Sequence, residues 1–240
     1  MLTTENKYIV KQQAPLTEKI FLSYVSHRIR TPLNSVIGFS KLLLNKDSSK
    51  EKVEEFAEKI MNSGYEILHY FQNIMDLSEL EAGLVTVDSR RFDAKEIILL
   101  LIDEFHDRFN NECDIDISCG NLNNYNEIPV GADEYIFRRI LANIIELSRM
   151  MISEGMITIN CFRHNESNLN FRVAVTSYSK FYSADQSFLL KNATNDDSVE
   201  YLTYKVTHEL TELLKGSFYI EKKSDNEIYF NLLIHNRYSD

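Results

Sequence analysis

Glycine and proline are scarce, at 7 and 3 of 240 residues, and tryptophan is missing altogether. That scarcity excludes collagen-like, proline-rich and glycine-rich low-complexity chains. The three cysteines, Cys113, Cys119 and Cys161, form an odd set without zinc-like pairing. They read as buried or half-buried thiols of a cytosolic protein, not as a disulfide framework. No apolar run reaches the roughly 18 residues that a membrane span requires. Met1 to Ala14 lacks the apolar core of a signal peptide, so residues 1–16 are expected to be a disordered lead-in and the location cytoplasmic. Positive charge is also short: 26 Lys and Arg face 36 Asp and Glu, a net charge of −10. Without a basic tract, sequence-independent binding to nucleic acid or to an anionic membrane is not expected. Only Arg28 and Arg30 remain as a local basic patch.

What is present is an ordinary globular composition, 44% hydrophobic and 26% charged, long enough for two modest domains. Thr17 reads as the N-cap of a first helix, with Glu18 in its first turn. Phe21, Val25, Ile29, Val36, Phe39 and Leu43 then recur at helical spacing to about Asn45. Lys46-Asp47-Ser48-Ser49 supplies loop chemistry. A second helix carries Val53, Ile60, Ile67 and Ile74 in heptad register, with Phe56 and Phe71 alongside and Gly83 as its C′ cap. Residues 17–87 therefore read as an antiparallel helical hairpin. Two helices cannot bury stripes of this width by themselves. A four-helix bundle with a second copy is expected, the alternative being that the hairpin packs only on its own chain.

One stretch of the first helix is unusual: Ser26-His27-Arg28-Ile29-Arg30-Thr31-Pro32-Leu33-Asn34. Proline inside a helix removes a ladder hydrogen bond and crowds the carbonyl four residues back, here that of Arg28, at a cost of about 3 kcal/mol. A chain that tolerates this beside an ionisable group is expected to use the bend. His27, Thr31 and Asn34 fall on one outer face, Thr31 one turn beyond His27.

From residue 88 the periodicity changes. A helix over about Ala94 to Asn110 carries Ile97, Leu100, Leu101 and Phe105, and Asp114 to Cys119 alternates like a strand. Asn121 to Asn126 reads as a polar loop. A helix over about Asp133 to Met151 follows, then strands around Ile157 to Cys161 and Leu169 to Val175. The polar stretch from Tyr178 to Ser198 holds a short helix near Phe188. Val199 to Leu214 is predicted helical, with Gly216 as its terminator, before a closing hairpin of Phe218 to Glu221 with Ile228 to Ile234. The fold class is α+β: a helical hairpin followed, over 88–240, by an α/β sandwich with helices on one face of a mixed sheet.

Ser26-His27-x-x-Arg30-Thr31-Pro32-Leu33-Asn34 closely resembles the phosphoacceptor box of two-component sensor histidine kinases. Ile37-Gly38-Phe39-Ser40 and the ending Asp76-Leu77-Ser78-x-Leu80-Glu81-Ala82-Gly83 are similar to the same dimerisation domain. Phe92-Asp93, Ala132-Asp133, Asn143 and Gly216-Ser217 fall where that family's ATP-binding domain carries its landmarks, so the resemblance runs from Leu16 to nearly the end. It implies a homodimer, a response-regulator receiver domain as partner, and an upstream sensor protein as a further one. His27 would be the phosphoacceptor, Thr31 would orient water in a phosphatase reaction, and Arg28 and Arg30 would place positive charge beside a phosphohistidine.

The departures shape the expectation equally. Arg28 stands where the family carries an acid that would accept from the imidazole Nδ1; a guanidinium has only donors. Leu147 replaces the second asparagine of the metal-binding helix, leaving Asn143 the only matching pocket position. Val175 replaces the aspartate that would accept the adenine amine. Ser177 and Ser179 stand in place of the glycines of that box, and Tyr201 and Thr203 in place of a later pair whose backbone cradles phosphates. The expectation is a degenerate domain without cofactor, and a protein that exchanges phosphate between His27 and a receiver domain, by phosphotransfer or as a phosphatase, with weak or absent autokinase activity. A receiver of that family brings its own aspartate and Mg²⁺, so the exchange needs no ATP. Two other readings stay open: a conventional ATP-dependent sensor kinase with an atypical pocket that does take ATP and Mg²⁺, and a non-catalytic pseudokinase scaffold that binds a response regulator.

Overall fold

The computed structural model describes residues 18–44, 49–109, 114–165, 168–179, 181 and 199–235. The lead-in, the loop at 45–48, Cys113 and nearly all of the stretch around Phe188 lie outside them. Helix α1 (Glu18–Leu43) holds Pro32 in its interior, and α2 (Lys50–Glu81) returns antiparallel to it. Phe39 stacks on Phe56 at 5.7 Å between the two, with Lys59 over the Phe39 ring. Helix α2 ends as the sequence predicts. Gly83 takes φ +65°, its N–H bonds the Leu80 carbonyl at 3.0 Å, and the Leu84 N–H bonds the Glu79 carbonyl at 2.9 Å.

The C-terminal part runs β1 (Arg90–Asp93), α3 (Ala94–Phe109), β2 (Asp114–Cys119), β3 (Pro129–Ala132), α4 (Glu134–Met151), β4 (Glu154–Asn165), β5 (Asn168–Ser177), α5 (Val199–Leu213), β6 (Ser217–Ser224) and β7 (Glu227–His235). Five strands form one mixed sheet in the order β2-β4-β5-β7-β6; β2 runs parallel to β4 and the other neighbours are antiparallel. Strands β1 and β3 make a separate antiparallel pair that the sequence reading left unassigned. Asp133 caps α4, its Oδ1 accepting from the Ile136 N–H at 3.0 Å.

Helix α4 is the centre of this layer. Every residue from 140 to 148 is buried, Asn143, Glu146 and Ser148 included. One side of it rests on the sheet, where Phe137 meets Phe171 edge-on at 4.9 Å and Phe92 at 5.2 Å. A helix buried all round needs neighbours on its other sides, and α2, α3 and α5 supply them.

Two expectations change. The polar loop at 121–126 contains a 3₁₀ turn, Leu122–Asn124, whose Leu122 is fully buried. At the end of α5 the left-handed position is held by Lys215 (φ 57°), not by Gly216. Gly216 serves close approach instead, because a Cβ there would lie 2.5 Å from the Leu233 carbonyl oxygen.

Candidate functional site

The histidine stretch lies within α1, with His27 five residues before Pro32. The side chains of His27 and Arg28 lie outside the described residues, whereas Arg30, Thr31 and Asn34 are exposed and Pro32 is buried. The proline thus lies on a covered side of α1, whereas Thr31 and Asn34 lie on an open one. Because Phe39 lies opposite Phe56, counting the same twelve residues along each antiparallel helix sets His27 level with Leu68.

At and beyond that level, one face of α2 carries a polar contact with the C-terminal part. Arg139 of α4 donates through Nε and Nη2 to Asp76 Oδ2 at 3.0 and 2.6 Å, and through Nη2 to Asn73 Oδ1 at 3.2 Å. Asn73 Nδ2 in turn reaches His69 Nε2 at 3.0 Å and Thr203 Oγ1 of α5 at 3.2 Å. Lys205 pairs with Glu81 at 2.9 Å further along. On the other side Arg149 faces Glu66 at 3.8 Å, and Arg108 lies over the Tyr65 ring. Arg108 and Arg149 converge on Glu146, at 2.6 and 3.0 Å.

Electrostatics fix the protonation of this cluster. Burial pushes His69 down to about 4, with Arg139, Arg108 and Arg149 adding to it and Glu146 opposing. A neutral ring suits the geometry, because Nε2 then accepts from the Asn73 amide; protonated, it would present a donor to a donor. Burial alone would raise Glu146, but Arg149 and Arg108 beside it, together with His69, bring it down to about 2.

The sign of the pH effect follows. A histidine whose folded pKa lies below its unfolded value of 6.5 leaves stability intact above 6.5 and removes it as pH falls toward 4. Urea unfolding is expected to show about 2 kcal/mol less stability at pH 5 than at pH 7, and His69→Gln to flatten that slope. Below 4.5 the protonation of Glu146 removes more.

One position of the expected nucleotide pocket, Thr203, takes part in this contact. Asn143 is fully buried on α4 between the levels of Arg139 and Leu147, and its amide nitrogen and oxygen find no hydrogen-bond partner among the described residues. Leu147, Val175, Ser177 and Thr203 are buried, while Ser179 and Tyr201 are half-buried. Sequence reasoning placed Asp76 and Glu81 in a helix-ending motif but gave them no partners. His69, Asn73, Arg139 and Glu146 it missed, because the contacts that join the hairpin to α4 and α5 span more than sixty residues and leave no local signal.

A hairpin bearing an exposed Thr31 and an interior proline, followed by this sandwich, has the architecture that the sequence resemblance implies. Comparison bears this out. Residues 17–83 match the His Kinase A (phospho-acceptor) domain. The autoinducer 2 sensor kinase/phosphatase LuxQ of Vibrio cholerae serotype O1 is 30% identical over 139 residues, 58% of this chain and 16% of its own length. Among solved structures, the Acinetobacter baumannii histidine kinase AdeS superposes with a TM-score of 0.58 at 14% identity, over 88% of this chain and 98% of that one. A bacterial phosphotransferase superposes with a TM-score of 0.51 at 13% identity, over 94% and 99%. Residues 17–83 are thus a phospho-acceptor domain of the histidine-kinase kind, and the chain as a whole has the fold of histidine kinases. It spans between 10% and 19% of the length of curated histidine kinases that it matches. Among the described residues no helix is long and apolar enough to cross a membrane.

Proposed function

We propose that this protein is a homodimer that exchanges phosphate between His27 and the receiver domain of a response regulator, as a phosphotransfer intermediate or phosphatase, and that it does not take phosphate from ATP. The observation that carries this reading is Thr203. It stands where a glycine would let backbone approach phosphate, it is fully buried, and it is hydrogen-bonded by Asn73 of the hairpin. Leu147 at 1% exposure offers a metal nothing, and Val175 offers an adenine amine no acceptor. The residues present do not fit a magnesium nucleotide, although Asn143 remains.

In the exchange, the Nε2 lone pair of a neutral His27 attacks the phosphorus of the receiver's aspartyl phosphate. The N–P bond forms as the P–O bond breaks, and the carboxylate leaves with its electron pair. Arg30, exposed one turn along, is placed to balance charge on the phosphoryl oxygens, with Arg28 beside His27 in sequence. Thr31, also exposed, is placed to orient water when phosphate is lost instead. The similar LuxQ of Vibrio cholerae is a sensor kinase/phosphatase. Dimerisation is supported by the free side of the hairpin. Met61, Leu68 and Met75, seven apart on α2, are 45%, 65% and 40% exposed, and Leu33 and Ile37 on α1 are 44% and 46% exposed.

Calorimetry with Mg-ATP tests the nucleotide claim. No heat of binding is expected up to millimolar concentration. Micromolar affinity would overturn the claim and restore the reading as a conventional sensor kinase.

A further inference from the structure

Helices α4 and α5 lie against the face of the five-stranded sheet that carries Phe171 and Phe218, which they meet through Phe137 and Tyr204. Side chains alternate along a strand, so Arg172, next to Phe171 on β5, belongs to the opposite face. The register sets Asn160 of β4 and Asn231 of β7 directly beside Arg172, with Tyr219 of β6 next in line. Arg172 therefore stands at the middle of that face. Met156 and Phe162 on β4, 36% and 40% exposed, extend it toward the β2 edge.

Arg172 is fixed there by its neighbours. Its Nε donates to Asn231 Oδ1 at 2.9 Å, and its guanidinium carbon lies 5.1 Å from the centre of the Phe162 ring and 4.6 Å from that of Tyr229. A guanidinium held between rings keeps the edge with its Nη groups for a forked bond. Among the described residues no carboxylate pairs with that edge. The adjacent Glu227 accepts from the Tyr229 hydroxyl at 2.8 Å.

Two amides beside Arg172 are left incomplete. Nε only donates, so Asn231 must present its oxygen, and that oxygen also accepts from Asn170 Nδ2 at 3.2 Å. Turning over either amide would set like against like. Asn231 Nδ2 and Asn170 Oδ1 therefore stay buried without partners, one donor and one acceptor on neighbouring strands. Such unmet groups are rare in native proteins, and a peptide group carries the complementary acceptor and donor.

We infer that the open face of the sheet around Arg172 is a docking surface for a polypeptide segment that carries one Asp or Glu carboxylate between apolar side chains. The carboxylate takes the Nη groups of Arg172 in a forked bond, and its apolar neighbours lie on Phe162 and Met156. A nucleic acid or an anionic membrane does not suit this face. Those partners need clustered Lys and Arg, whereas the charges acting on Tyr229 besides Arg172 are Glu227 and Glu221. The inference does not depend on the phosphoryl chemistry proposed above.

Nuclear magnetic resonance of the ¹⁵N-labelled full chain tests it with two probes, acetyl-Leu-Glu-Leu-amide and its uncharged counterpart acetyl-Leu-Gln-Leu-amide. The glutamate probe is expected to shift the Arg172 Nε–H and Asn231 side-chain amide signals, and the glutamine probe to bind at least about fivefold more weakly. Arg172→Lys, which keeps the charge but not the fork, is expected to weaken the glutamate probe by about fivefold or more. Should that variant fold poorly, the exposed Phe162→Ser serves instead, with a loss of about threefold expected. The inference is overturned if both probes shift these signals alike, or if the glutamate probe shifts nothing up to about 20 mM. It is equally overturned if inorganic phosphate shifts the Arg172 signal at lower concentration than the glutamate probe, since the site would then select phosphate over a peptide carboxylate.

Discussion

His27→Ala is expected to abolish phosphoryl exchange with a phosphorylated receiver domain, a fall of at least about 10³-fold in the labelling or dephosphorylation rate. The size follows from the chemistry, because no other side chain on that face of α1 offers a neutral nitrogen nucleophile. Thr31 and Asn34 carry a hydroxyl and an amide, and the Arg30 guanidinium offers only donors. Far-UV circular dichroism and thermal unfolding should be unchanged, since a helical residue becomes a better helix former. Thr31→Ala is expected to slow phosphate loss while leaving transfer to His27 in place, which separates the two reactions. If the His27 variant kept the full cellular role of the protein, the scaffold reading would replace this one.

Glu146→Ala is expected to cost about 3 to 5 kcal/mol, a large part of a typical domain's stability. Its carboxylate is 2% exposed and receives Arg108 at 2.6 Å and Arg149 at 3.0 Å, both guanidinium groups being mostly enclosed. Alanine leaves two cations in a buried space with one acceptor fewer each. Arg108 retains contact with the Tyr65 and Phe105 rings, which does not replace a carboxylate. Denaturant unfolding followed by circular dichroism gives the number directly, and a loss under about 1 kcal/mol would show the cluster to be better solvated than its burial implies. Breaking the exposed Lys50–Glu54 pair, at 3.5 Å, should change nothing measurable by comparison.

The helices were legible because each carries its own local signals. Apolar spacing, Asp133 before α4 and Gly83 after α2 mark their positions to within a residue or two. Strands β2, β4 and β5 were legible from alternation. Strands β1 and β3 were not, since each spans four residues and their pairing joins positions as far apart as Arg90 and Ala132, without an alternating pattern. Gly216 illustrates another limit: its place near a helix end suggested a left-handed cap, whereas its use depends on the Leu233 carbonyl brought in by β7. The phosphoacceptor stretch was readable because its residues are contiguous. The contact of α2 with α4 and α5 was not, because Asn73 and Thr203 are 130 residues apart and become partners only through the fold.

Both departures noted in the sequence point in one direction. Arg28 removes the neighbour that would activate an imidazole toward ATP. Thr203 and Leu147, which the resemblance aligns with nucleotide and metal contacts, are buried. Neither departure touches the exposed line of Thr31 and Asn34, the part a receiver domain would meet. On the proposed function, the chain would keep the surface for exchange and lack the fit for autophosphorylation.

The decisive measurement is a two-lane labelling experiment with the purified chain. One lane receives a receiver domain phosphorylated with radiolabelled phosphate in the presence of Mg²⁺ and no ATP; the other receives γ-labelled Mg-ATP alone. Label moving to His27, or leaving the receiver faster, in the first lane and a blank second lane is the expected result. Label on His27 in the second lane, with the receiver's phosphate lifetime unchanged in the first, would contradict it.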